Sequence, residues 1–185
     1  MLKPEIIVFA GPNGSGKSSV TKLSKVILPY INADDIKCST LCTDLEAAKK
    51  AEALRNQLIE NKRGFTFETV MSTDRNLNLL KKAKEKGFFI RCIYVLTIDP
   101  NINIFRVQSR KMAGGHDVPK EKILSRYYKA LNLLPDLIEI CDVCHIYDNS
   151  TTPFRIFKKR KSDYFYWENN FWNKKQIEDL VKLKL

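Results

Sequence analysis

The run Gly11-Pro12-Asn13-Gly14-Ser15-Gly16-Lys17-Ser18 constrains this chain more than any other segment, because it reads G-x-x-x-x-G-K-[ST] directly after the apolar stretch Ile6-Ile7-Val8-Phe9-Ala10. Glycines allow a tight turn that aims successive backbone N–H groups inward. The lysine can then reach the terminal phosphates of a nucleotide, and the serine hydroxyl can hold Mg²⁺. A helix beginning near Lys17 turns its positive end toward the same anion. The expected nucleotide contacts are Gly11, Pro12, Asn13, Gly14, Ser15, Gly16, Lys17, Ser18 and Ser19, with Ser18 at the metal.

A buried-type strand followed by such a loop and a helix is the first half of a parallel α/β unit. Tyr30-Ile31-Asn32-Ala33 reads as a short second strand ending at Asp34-Asp35. Ala47, Ala51, Leu54 and Leu58 recur at helical spacing, predicting a helix to about Lys62 that Gly64 terminates. Phe65 to Val70 is rich in β-formers, and Asp74 is placed to cap a helix carrying Leu77, Leu80 and Ala83, closed by Gly87. Phe88 to Ile98 predicts a central strand, after which Asp99-Pro100 opens a helix bearing Ile104, Arg106, Val107 and Arg110. Gly114-Gly115-His116 interrupts the alternation. Pro119 suits the first turn of a helix with Ile123, Tyr127, Leu131 and Leu134 on its apolar face, which Pro135 kinks or restarts. Val143 to Tyr147 is the last parallel candidate. A hairpin over Phe154 to Trp167, turning at Ser162-Asp163, precedes a terminal helix that Asn173 and Gln176 open. The expectation is one α/β domain over residues 1–185: a three-layer sandwich with a mostly parallel sheet, closed by an antiparallel hairpin and helix.

Length and composition narrow the setting. No apolar run approaches the length of a membrane span, and Met1 to Glu5 leads straight into the first strand, so a cytoplasmic protein without signal peptide or membrane contact is expected. Five cysteines, an odd number, predict free thiols. Cys141-Asp142-Val143-Cys144-His145 matches the haem-attachment pattern literally, but that chemistry belongs to exported proteins and the segment reads as a strand. Neither haem nor zinc is expected. The net charge of +11 invites a nucleic-acid reading. Lysine is abundant throughout, however, and the Lys158-Lys159-Arg160-Lys161 cluster falls near a hairpin turn, so a solvated surface is the simpler account.

In open α/β sheets the ligand lies beyond the carboxyl ends of the strands, and three polar sets fall there. Asp34 or Asp35 can accept the proton of an attacking hydroxyl, or can cap the turn beginning at Ile36. Glu68, with Thr69 beside it, can hold an acceptor hydroxyl or be an ordinary strand-end carboxylate. Arg106 and Arg110 share one helix face and Arg126 follows the Gly-rich loop, the layout of a lid over residues 106–126 whose arginines meet the γ-phosphate. His116 could contact a phosphate or sit in water. No clear Walker-B aspartate appears, Asp99 reading as a helix cap, and the guanine-specifying N-K-x-D signature is missing, which tells against GTPases and motors.

Taken together, Gly11 to Ser18, Ile31-Asn32-Ala33-Asp34-Asp35-Ile36, Phe67-Glu68-Thr69-Val70-Met71-Ser72, and Arg106 to Arg110 continuing through Pro119 to Arg126-Tyr127 resemble the zeta-toxin family of P-loop kinases. The resemblance implies an ATP- and Mg²⁺-dependent kinase acting on a sugar hydroxyl, with a UDP-activated amino sugar such as UDP-N-acetylglucosamine as first-choice acceptor. By matching position, Lys17 and Ser18 serve ATP and Mg²⁺, Asp34 is the general base, Glu68 positions the acceptor, and Arg110 with Arg126 forms the lid, Arg106 being a further member. An antitoxin partner is implied by analogy. The chain departs from the sugar-nucleotide toxins at Val70 and Ser72, where they carry more polar side chains. Two other readings stay open: a polynucleotide 5′-hydroxyl kinase, suggested by the basic charge and the aromatics from Tyr164 to Trp172, and a nucleotide-dependent switch protein that transfers nothing.

Overall fold

A computed structural model describes residues 3–114 and 118–182. The expected Gly-rich interruption lies largely outside them, His116 included. The apolar run forms β1 (Glu5–Ala10), buried from Ile6 onward, and the phosphate-loop segment leads into α1 (Lys17–Lys22). There follow β2 (Tyr30–Ile31), α2 (Ala33–Thr40), α3 (Asp44–Glu60), β3 (Phe65–Thr69), α4 (Asp74–Glu85), β4 (Phe89–Leu96) and α5 (Pro100–Met112). The chain continues through α6 (Lys120–Asn132), α7 (Leu134–Ile140), β5 (Val143–Asp148), β6 (Phe154–Arg160), β7 (Asp163–Tyr166) and α8 (Lys174–Val181).

The seven strands form one sheet in the order β2-β3-β1-β4-β5-β6-β7. The first five strands in this order pair in parallel, while β6 and β7 are antiparallel, as the sequence predicts. Alternate residues of the central strands, Ile6, Val8, Phe65, Phe67, Ile90, Cys92 and Tyr94, enter one large core with Leu58, Leu80, Leu137 and Ile177 from helices on the same face. On the other face α1 packs against β1 and β4. Burial of apolar side chains at about 25 cal/mol per Å² is what holds these layers together.

Several boundaries differ from expectation for local reasons. The second strand stops at Ile31 because the Asn32 side chain accepts the Asp34 backbone N–H at 3.0 Å and starts a helix, so Asp34 and Asp35 lie in its first turn. Leu54 is 38 % exposed, and Arg55 stands in the buried stripe of α3 instead. Thr73 precedes α4 where Asp74 was expected to cap, Pro119 precedes α6, and the hairpin turns at Lys161, which has φ of 56°. The restart at Pro135, the Asp99 cap and the reciprocal Asn173–Gln176 capping box are present. All five cysteines are free thiols, and Cys92, Cys141 and Cys144 are buried. Among the described residues no group of three or more His, Cys, Asp and Glu side chains could hold a metal, and no helix is long and apolar enough to cross a membrane. Tyr166 and Trp172 pack against the core, and Phe157 contacts the rings of Tyr164 and Tyr166, so part of the aromatic segment is structural.

Candidate active site

Parallel pairing brings the carboxyl ends of the central strands level: Ala10 lies beside Thr69 of β3 and Tyr94 of β4. The phosphate loop leaves that line directly. Gly11 has φ of 139°, and a Cβ there would stand 2.0 Å from the Val95 carbonyl oxygen, so the next strand's backbone demands glycine. Gly16 has φ of 91°, and its Cβ would meet Asn149 Nδ2 at 2.1 Å. The same Nδ2 donates to the Ser15 carbonyl at 2.8 Å, while Asn103 Nδ2 donates to the Asn13 carbonyl at 2.6 Å. The loop is thus tied from two sides, by the segment after β5 and by α5.

Lys17 Nζ donates to the carbonyls of Gly11 at 2.7 Å and Pro12 at 2.9 Å. Burial pushes its ammonium down to about 8 from the ordinary 10.5, against the support of the Glu68 and Asp34 charges and with a further push from Arg110. An ammonium held so far from water gains strongly from an arriving phosphate. Gly11, Pro12 and Ser15 are the inner residues of the loop and shape it, whereas Asn13, Gly14, Gly16, Lys17, Ser18 and Ser19 line a cleft of about 660 Å³.

Glu68 is the main repositioning. It stands beside Phe9 on the strand next to β1, and its carboxylate accepts from the Thr21 hydroxyl at 2.9 Å and the Ser18 hydroxyl at 3.4 Å. The Tyr30 phenol, raised by burial and then by this carboxylate, also bonds it. The sequence reading sent Glu68 to the acceptor and found no Walker-B carboxylate. In space Glu68 faces the serine expected at the metal. A hydroxyl and a carboxylate are the hard oxygen donors that Mg²⁺ takes, so these residues suit that ion. The signal was topological: β3 lies beside β1, which sequence order alone does not state. Thr69 also lines the cleft, but its hydroxyl oxygen accepts from Asn76 Nδ2 at 2.7 Å and from the Met71 N–H at 3.0 Å, bracing the turn after β3.

Asp34 lines the same cleft and Asp35 does not, which separates two carboxylates adjacent in sequence. Arg106, Arg110 and Arg126 all line it as well. Arg106 donates to the Ser150 carbonyl at 3.1 Å, and Arg126 reaches the Asn13 side-chain oxygen at 3.4 Å. Every described residue expected to act on the γ-phosphate or the acceptor, from Lys17 to Arg126, borders one cavity. Asn103, Asn149, Thr21, Tyr30 and Arg55 were missed. Asn103 and Arg55 did leave a trace, each being a polar residue in an otherwise apolar helical stripe.

Loop, strand order and cleft together make a mostly parallel α/β fold with a phosphate-loop motif at the carboxyl ends of its strands. No protein-family model matches the chain. It is 28 % identical over 133 residues to an uncharacterised protein of Haemophilus influenzae, covering 69 % of this chain and 95 % of that protein. Its fold is similar to a chain of the PezAT chromosomal toxin-antitoxin system of Streptococcus pneumoniae, with a TM-score of 0.64 and 15 % identity over 98 % of this chain and 84 % of that one. It is also similar to a chain of the AvrRxo1-ORF1:-ORF2 complex with ATP, with a TM-score of 0.73 and 12 % identity, covering 97 % of this chain and 64 % of that one.

Proposed function

We propose that this protein is a kinase that transfers the γ-phosphate of Mg-ATP to a hydroxyl of a small molecule. The observation that carries the reading is the shared cleft, where Lys17, Ser18 and Glu68 stand with Asp34 and three arginines. The phosphates lie along residues 13–19 and Lys17 exchanges its two carbonyl partners for them. Ser18 and Glu68 would hold Mg²⁺, which neutralises phosphate charge when bound. The acceptor oxygen attacks the γ-phosphorus as its bond to the bridging oxygen breaks. ADP departs and the hydroxyl proton passes to Asp34. Arg110 and Arg126, with Arg106 held by Ser150, stabilise the charge on the transferring group.

The resemblance makes a UDP-activated amino sugar the first acceptor to try, and the PezAT likeness makes an antitoxin-type protein partner part of the proposal. No side chain of the aromatic segment lines the cleft, which favours a small acceptor over a polynucleotide. The test is transfer of labelled γ-phosphate to UDP-sugars, nucleosides and 5′-hydroxyl oligonucleotides, with Asp34→Asn alongside. Label on a UDP-amino sugar that disappears in the variant is expected. Label on oligonucleotides alone would replace the acceptor class, and ATP binding without any transfer would leave a switch protein.

A further inference from the structure

The half of the cleft away from the phosphate loop is walled by α3 and by the turn from Val70 to Asn76. Ala47, Ala51 and Arg55 succeed one another at four-residue spacing on α3, so they stack on one face. The two alanines leave open space in front of the third side chain. Arg55 is 7 % exposed, its guanidinium lies 5.0 Å from the centre of the Phe67 ring, and its buried Nε has no hydrogen-bond partner. No carboxylate pairs with it among the described residues. The nearby Glu52 is engaged instead by Arg75 at 3.5 Å.

Glu52 supports the Arg55 charge only through space, and a guanidinium removed from water without a direct ion pair is costly. Stacking on Phe67 offsets part of that cost and fixes the plane of the fork. On the same wall, the Asn76 side-chain oxygen is also buried without a partner, while its Nδ2 is committed to Thr69. This wall therefore offers both an unsatisfied cationic donor and an unsatisfied acceptor. Arg75, largely exposed, adds a second positive charge at its rim.

We infer that Arg55 is the recognition residue for a negatively charged group of the acceptor, so that the substrate is a hydroxylated anion, carrying phosphate, diphosphate or carboxylate, with a hydroxyl given to Asn76. This rests on the kinase reading and deepens it. An anion against Arg55 supplies the direct contact that Glu52, paired with Arg75, does not make, and leaves the rest of the acceptor directed toward Asp34 and the phosphate loop.

The experiment is calorimetric titration of UDP, inorganic phosphate and glucuronate, with uridine and glucose as uncharged counterparts. The ligands go into protein saturated with Mg²⁺ and a non-hydrolysable ATP analogue, so that the phosphate loop is occupied. Arg55→Met, which keeps an apolar stem against Phe67, is expected to weaken at least one anion by about tenfold or more. Arg55→Lys is expected to retain part of the affinity, and the uncharged ligands to bind weakly and alike in all three proteins. Circular dichroism confirms that the variants fold. If no anion binds the wild-type protein, or Arg55→Met binds every anion equally well, the assignment is overturned. The analogue's own binding reports on the phosphate loop separately. If it fails to bind, the anions are titrated into nucleotide-free Lys17→Ala protein, where the same comparison, with and without Arg55→Met, decides the matter.

Discussion

The two halves of the cleft are built on opposite principles. The phosphate side is made of backbone: Gly11 and Gly16 sit where no side chain fits, and Asn103 and Asn149 tie the loop carbonyls. The side proposed for the acceptor is made of side chains carried by α2, α3 and the turn after β3, and Arg55 Nε and Asn76 Oδ1 there have no hydrogen-bond partner. Ser15 Oγ in the loop and Arg106 Nη1 beside the cleft are also buried without a partner, so the two sides differ not in completeness but in whether backbone or side chains shape them.

The sharpest way to break this contrast is at Gly11. A Cβ there faces the Val95 carbonyl at 2.0 Å in a conformation unfavourable to L-residues, so Gly11→Ala is expected to cost at least about 3 kcal/mol and to abolish ATP binding. Thermal melts and nucleotide titration check it, and a variant with normal melting and binding would show that the loop is not backbone-determined. Asp34→Asn is next: transfer should fall by about 10²- to 10⁴-fold with ATP affinity kept, separating chemistry from nucleotide binding. Glu68→Gln divides the two sides. With its carboxylate against Ser18, the Mg²⁺ concentration for half-maximal activity should rise by about tenfold or more while the acceptor KM changes little. A change in acceptor KM alone would return Glu68 to the acceptor.

The smallest effect is on stability. Lys17 is held down to about 8 from 10.5, so between those pH values the unfolded chain carries more of its proton than the folded one. Its burial penalty is greatest below pH 8 and fades as pH rises toward 10.5. Lys17→Met should therefore melt higher than the nucleotide-free wild type at about pH 7, with the gap closing as pH rises through that window. A gap independent of pH would mean that the ammonium is not destabilising.

How legible each half was in the sequence follows from the same contrast. The loop announced itself because backbone requirements select glycines at fixed spacing, and strand–helix alternation gave the parallel sheet and closing hairpin. Asp34 was found as a strand-end carboxylate, although Asn32 and the helix it starts were not. Glu68 was found as a strand-end carboxylate, but its contacts with Ser18 and Thr21 were not, because its place depends on β3 lying beside β1. Arg55 left a trace but was passed over, because Leu54, one position earlier, fits an apolar stripe better by hydrophobicity alone. The Arg55 guanidinium meets Phe67 on the following strand, a contact that helical periodicity alone does not show.

One carboxylate has a kinetic consequence. Glu68 joins Ser18 and Thr21 of α1 to Tyr30 of β2, and Tyr30 is followed at once by the segment of Asn32 and Asp34. Whatever draws the Ser18 hydroxyl away loosens a knot that ends on the segment carrying Asp34, the proposed base. The prediction is a compulsory order of arrival, nucleotide before acceptor. Initial-rate patterns in which a dead-end acceptor analogue inhibits uncompetitively against ATP would display it, and competitive or mixed patterns would show that the two substrates enter independently.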